Sequence, residues 1–248
     1  MKKIAVTAAL FIFLSITAGL TDLFAEVGCP QQEAVQKAVS EIFKKTNIKV
    51  VKISPSQVPG LCEVQLKLNE QKGIIYTDSK GEFLVAGQLY RTSDGTNITQ
   101  QAAMELNRFS AAEMERLSSL TAFKIGKGKV VYLVTDPQCP YCKKAEETIV
   151  PMAQAGQLEL RVLLFPLPFH QGAKEESISI ICDNKGIEGL KSRYRSENQC
   201  EAGKKKVEDT IAFLSKKGIT GTPTYIFQDG LFHSGVLSAD ELKKHLGI

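Results

Sequence analysis

Tryptophan is absent from this 248-residue sequence and histidine occurs only three times. Without tryptophan, indole fluorescence cannot report the redox state of any site. His170, His233 and His245 stand singly, with no Cys-His or Ser-His-Asp arrangement, so protease-type catalysis has no support. A large excess of charge of one sign is also missing. The formal net charge is +4, and no basic stripe is interleaved with aromatics, which argues against nucleic acid as a partner. After residue 25 no run is long and apolar enough to cross a membrane. Repeats and low-complexity tracts are missing, and Gly126-Lys127-Gly128-Lys129 lacks the spacing and the following Ser or Thr of a phosphate loop. With 43% hydrophobic and 23% charged residues, the composition is that of a folded chain with one large domain or two small ones.

The beginning of the chain sets an address. Met1, Lys2 and Lys3 form a positive start, Ile4 to Leu20 an apolar run, and Ala25 a small residue at a cleavage point. The run is short for a membrane span and ends at the polar Asp22, so residues 1–25 read as an export signal rather than an anchor. Cleavage after Ala25 removes two lysines and one aspartate, taking the charge to +3. All six cysteines, Cys29, Cys62, Cys139, Cys142, Cys182 and Cys200, follow that point, and an even count in an exported chain points to disulfides. Fifteen pairings are possible by counting alone.

Periodicity divides the remainder. Residues 31–45 carry Val35, Ala38, Val39, Ile42 and Phe43 at helical spacing. Strands are expected at 48–53, 61–68, 73–77 and 82–90, the last two around the turn Asp78-Ser79-Lys80-Gly81. This α+β region, one helix on an antiparallel meander over residues 26–95, is small for an isolated core, so self-association is expected. Residues 96–122 read as a linker containing one helix from Ile98 to Leu120, and Asn97-Ile98-Thr99 as a turn into it rather than a glycosylation site. Residues 123–248 alternate as α/β: strand 130–135, helix 140–155 with a kink at Pro151, strand 158–165, helices within 173–217, strands 224–227 and 231–234, and helix 239–246. The long helical stretch implies an inserted lobe between Asp183 and Cys200. Lys204-Lys205-Lys206 reads as the solvated face of a helix.

The chemistry concentrates at Cys139-Pro140-Tyr141-Cys142, where a strand gives way to a helix. A cysteine at a helix N-terminus meets free backbone amides and the positive end of the dipole, which favour its thiolate, the attacking species in disulfide exchange. Cys142, one turn in and more buried, would be the resolving thiol, and Pro140 suits the first helical position. The alternatives are a plain structural disulfide or a zinc site. Zinc needs a second ligand pair at suitable spacing, which the sequence does not offer, and no metal or cofactor is expected. Farther on, Thr222-Pro223 opens the strand at 224, where a cis X-Pro bond would present backbone groups to an extended peptide; an ordinary loop is the other reading.

Taken together, Thr135-Asp136-Pro137, Cys139-Pro140-Tyr141-Cys142, Thr222-Pro223 and a Cys182/Cys200 pair resemble the periplasmic disulfide isomerases of the DsbC/DsbG type, over nearly the whole chain after residue 25. The resemblance implies a cystatin-like dimerisation domain, a linker helix and a thioredoxin-like catalytic domain. It further implies a V-shaped homodimer acting on misfolded proteins, and a membrane reductant of the DsbD type. Under it, Cys139 attacks, Cys142 resolves, and Thr222 with cis-Pro223, beside Pro140 and Tyr141, receives the client peptide. Cys182 and Cys200 match the family's structural disulfide. The proline in the motif is the DsbG-like choice, and Lys143 stands where DsbC-like members carry histidine. Cys29 and Cys62 have no counterpart and would pair with each other. A net thiol oxidase and a chaperone-like binding module are the competing functions.

Overall fold

The computed structural model describes residues 28–44, 47–68 and 71–248, so the expected export signal at 1–25 lies outside the described residues. In the N-terminal region, helix α1 (Gln32–Ile42) buries Val35 and Val39, one turn apart, against an antiparallel sheet. Its strands are β1 (Ile48–Pro55), β2 (Leu61–Leu68), β3 (Gln71–Asp78) and β4 (Leu84–Val85), paired in that order. Alternation decides which side of β2 faces inward. Cys62, Val64 and Leu66 are buried while the residues between them are half-exposed. The β1–β2 register slips between Val50 and Lys52. Gln36 fastens the helix to β1 by donating to the Ile48 carbonyl at 3.1 Å and accepting from the Val50 amide at 2.7 Å.

The strand expected at 82–90 does not form as one element. Only Leu84–Val85 joins the sheet, and Tyr90–Arg91 (β5) instead makes a small hairpin with Thr96–Asn97 (β6). Side chains compete with the ladder there. Asp78 accepts from the Lys80 and Phe83 amides, and Thr77 donates to the Phe83 carbonyl at 2.8 Å, so the backbone is curled before it can extend.

The linker departs from expectation as well, since it holds two helices, α2 (Ile98–Leu106) and α3 (Ala111–Leu120). Ser110 and Glu113 form a capping box that starts α3 afresh. Between the helices, Phe109 plunges into the core beside Phe213 and Phe232, its amide held by the Gly230 carbonyl at 2.8 Å. Burying that ring outweighs continuing the helix.

The C-terminal region has the thioredoxin-like architecture. A five-stranded sheet runs in the order β11-β10-β8-β9-β7, from β7 (Phe123–Gly126), β8 (Lys129–Thr135), β9 (Leu158–Leu164), β10 (Thr224–Phe227) and β11 (Phe232–Ser234). Strands β8 and β9 are parallel and the other pairings antiparallel. Edge strand β7 has no counterpart in the sequence reading. It is short, and it turns away at Gly126, whose φ is +76°, where any Cβ would strike the Ala153 and Leu158 carbonyls.

Central strand β8 is buried on both faces. Val131 and Leu133 pack with α4 (Pro140–Gln154) and α8 (Ala239–Leu246); Tyr132 and Val134 pack with α3 and α7 (Glu201–Lys216). Helix α4 continues through Pro151. The inserted lobe is α6 (Gly186–Ser192) with the loop after it, between α5 (Ala173–Cys182) and α7. Asp183 gathers that loop by accepting from Tyr194, Ser196 and Asn198. Among the described residues no helix is long and apolar enough to cross a membrane.

Candidate active site

Strand β8 delivers Thr135 and Asp136 at its C-terminal end, and the chain then turns into α4. Asp136 fixes the turn. One carboxylate oxygen accepts from the Gln138 amide at 2.7 Å; the other accepts from the Leu167 amide at 2.6 Å and pairs with His170 Nδ1 at 2.8 Å. The Asp136 carbonyl accepts from the Cys139 amide, and the Gln138 side chain reaches the Gln171 carbonyl and Glu176. The motif is therefore tied to the loop after β9 before its own helix begins.

Cys139 is the N-cap of α4. Its Sγ accepts from the Cys142 amide at 3.3 Å, taking up one of the helix's unpaired donors, and Pro140 holds the first helical position without needing a partner for a missing N–H. The sulfur therefore stands at the positive end of the helix dipole, beside the backbone donors of the first turn. Cys142 is 0% exposed against 6% for Cys139. Burial, joined by the neighbouring Cys139 thiol and opposed by the Thr222 and Thr135 hydroxyls, pushes the Cys142 thiol up to about 12. The two sulfurs thus have different environments within one turn of helix.

The Thr222-Pro223 peptide is cis, and it precedes β10, the neighbour of β8. Its Thr222 carbonyl lies 3.5 Å from Cys139 Sγ. Tyr141 stands 61% exposed beside the pair, with the Lys144 ammonium 5.5 Å from its ring centroid. The tertiary structure brings Cys139, Pro140, Tyr141, Cys142, Thr222 and Pro223 to one place. The other four cysteines lie elsewhere and are bonded: Cys182 to Cys200 between α5 and α7, and Cys29 to Cys62 between the segment before α1 and β2, each with Cα atoms 5.8 Å apart. Among the described residues only Cys139 and Cys142 are free, and no group of acidic, histidine or cysteine side chains has the makings of a metal site.

Sequence reasoning missed three groups. His170, read as standing alone, is the partner of Asp136; the pairing spans 34 residues and left no local trace. Glu146 lies one turn beyond Cys142 on the inward face of α4 and accepts from Thr135 Oγ1 at 2.8 Å. Burial raises its carboxyl to about 7, against that hydrogen bond. Its i+4 spacing from Cys142 was a usable signal. Third, α6 leans over the start of α4 and encloses a cavity of about 340 Å3 whose wall includes Cys139. Nothing in the helical pattern of the insert announces that placement.

Comparison with known proteins agrees with this geometry. Residues 26–100 match the family described as the disulfide bond isomerase protein N-terminal domain, and residues 118–247 match the thioredoxin-like domain family. A probable thiol:disulfide interchange protein DsbC of Bordetella avium is 26% identical over 223 residues, covering 88% of this chain and 75% of that protein. The thiol:disulfide interchange protein DsbC of Escherichia coli is 25% identical, covering 86% of this chain and 88% of its own length. The DsbG of the same organism is 27% identical over 127 residues, about half of each chain. The two family matches together span most of the chain and the relatives are named as thiol:disulfide interchange proteins, and the chain belongs to the DsbC/DsbG family of thiol:disulfide interchange proteins.

Proposed function

We propose that this protein is an exported disulfide isomerase of the bacterial periplasm, working through Cys139-Pro140-Tyr141-Cys142 on misfolded, wrongly cross-linked proteins. The observation that carries the reading is Cys139 itself: a helix-capping sulfur 3.3 Å from the Cys142 amide and 3.5 Å from the Thr222 carbonyl, beside a buried second thiol. In the first step the Cys139 thiolate attacks one sulfur of a client disulfide; the new S–S bond forms as the old one breaks, and the other client sulfur leaves as thiolate. A client thiolate can then attack the mixed disulfide and release Cys139 unchanged, which is isomerisation. If instead Cys142 attacks Cys139 Sγ, the client departs reduced and the protein holds a Cys139–Cys142 disulfide. Cys142 must lose its proton for that second route. The Thr135 hydroxyl, beside its sulfur and donating to Glu146 at 2.8 Å, leads to a buried carboxyl whose ionised form can accept it.

The second route consumes two electrons, so the protein needs a reductant, for which the DsbD type of membrane partner is the family's expectation. The wider organisation follows the same reading: 1–25 as export signal, 26–95 as dimerisation domain of a homodimer, 96–122 as linker and 123–248 as catalytic domain. Thr222, cis-Pro223, Pro140 and Tyr141 form the client-docking surface, where an extended segment can pair with the Thr222 backbone. The Cys182–Cys200 and Cys29–Cys62 bonds are structural.

Reactivation of a scrambled multi-disulfide protein in redox buffer, by the chain from Glu26 onward and by its Cys139→Ala variant, tests the proposal. Reactivation that vanishes in the variant is the expected result. Net oxidation of a reduced client without reshuffling would replace isomerase by oxidase, and protection of an unfolded client that survives the substitution would replace both by a binding module.

A further inference from the structure

The cavity between α4 and α6 adjoins the reacting sulfur, and the mechanism above places no reactant in it. Cys139, Lys143 and Glu146 line it from α4, and Leu190, Lys191 and Arg193 from α6 and its C-cap. At about 340 Å3 it lies at the small end of pockets that hold small molecules. Its wall includes Cys139 and Pro140 but neither Thr222 nor Pro223, so the recess adjoins the place where a client segment pairs with the Thr222 backbone without coinciding with it.

The charges facing this space are unequal. Three cations, Lys143, Lys191 and Arg193, meet two carboxyls, Asp136 and Glu146. The Asp136 carboxylate is already engaged by two amides and His170, and Glu146, its carboxyl raised to about 7 by burial and held by the Thr135 hydroxyl, offsets at most one of the three cations. Lys191 has one ion-pair partner, the exposed Glu188 at 3.3 Å, outside the cavity wall. What remains is a small, cationic recess with a nucleophilic sulfur at one end.

Resting on the thiol-exchange reading, we propose that this recess is a subsite for a small thiol or disulfide bearing carboxylates, of the glutathione class, seated with its sulfur against Cys139 and its carboxylates on Lys143, Lys191 and Arg193. With the disulfide as ligand, the Cys139 thiolate forms a bond to one glutathione sulfur while the glutathione S–S bond breaks and one glutathione thiolate leaves. Attack by Cys142 on Cys139 Sγ then expels the second. The protein dithiol is oxidised to a disulfide, one glutathione disulfide is reduced to two glutathiones, and the two thiol protons end on the products. The reverse sequence reduces the protein with two glutathiones and needs no protein partner.

The test follows formation of the mixed disulfide at Cys139 in the reduced Cys142→Ala chain, by quenched mass spectrometry, with three probes: glutathione disulfide, neutral hydroxyethyl disulfide and cationic cystamine. Reversing Lys191→Glu with Arg193→Glu is expected to slow glutathione disulfide about tenfold, leave hydroxyethyl disulfide within about twofold and speed cystamine. Independently of any variant, raising ionic strength should slow glutathione disulfide alone among the three. Equal changes for all three probes, or no salt dependence for the anionic one, would overturn the subsite while leaving exchange at Cys139 intact. Failure of Cys139 to react with any probe would overturn the exchange reading and the subsite together.

Discussion

Two helices in this protein begin in the same way and do different things. Cys139 caps α4 by accepting from the amide three residues on, at 3.3 Å; Cys200 caps α7 by accepting from the Gly203 amide, at 3.4 Å. Each sulfur satisfies an orphan donor at a helix N-terminus. The difference lies in what stands beside them. At the third position past the cap α4 has Cys142 and α7 has Gly203; at the seventh, α4 buries Glu146 and α7 buries Val207. Helix α7 is pressed so close to α5 that a Cβ on Gly203 would lie 2.5 Å from Cys182 Sγ, and Cys200 is bonded to that sulfur. Helix α4 meets the Thr222-Pro223 turn and a cavity instead, and its capping sulfur is free. A helix-capping cysteine is thus a local device, and the neighbours assign it to chemistry or to cross-linking.

Serine at each cap gives the sharpest separation. Serine is a good cap in its own right, so Cys139→Ser should lose disulfide exchange down to the uncatalysed rate while its melting temperature stays close to the parent's. A surviving exchange rate would mean that another thiol carries the reaction. The opposite pattern is expected for the Cys182→Ser, Cys200→Ser pair. Opening a loop with a separation of 18 residues should cost about 3 kcal/mol in denaturant titration, with the exchange rate of the folded protein unchanged.

Gly203→Ala puts a methyl group against Cys182 Sγ and the buried Ile178 at the α5–α7 junction, and should destabilise by about 1–3 kcal/mol. Chemical denaturation measures this, and a neutral result would show that α7 can shift away without loss. The smallest effect is a slope. Because Glu146 has its pKa raised from 4.5 to about 7, both states hold the proton at low pH; between those values the unfolded chain ionises the group and the native state does not. The native state therefore loses this contribution as pH rises through that window, and Glu146→Gln should flatten the stability profile there. An unchanged slope in the variant would place the pH dependence on other groups.

Much of this arrangement was legible in the sequence. The β8–α4 junction was marked by a short β-branched run followed by Cys139-Pro140, whereas the linker was read as one helix and its break before Ser110 came only from the structure. Other features left no sequence pattern to read. The 82–90 segment is alternating enough for a strand, yet Asp78 and Thr77 intercept its backbone. Strand β7 is four residues long and exists because β9 offers it an edge. The Asp136–His170 pair and the cavity under α6 join residues far apart in the chain.

By itself the sequence determined the local chemistry: a cysteine with proline at the first turn of a helix, and the short continuous apolar run that makes β8 a central strand. These depend on neighbours within a turn or two, where covalent geometry and capping dominate. Only the tertiary structure decided which capping cysteine stays free, that Thr222 reaches Cys139, and that Glu146 is buried beneath Cys142. Those outcomes depend on packing between elements dozens of residues apart, where burial and close approach, rather than local preference, set the energy.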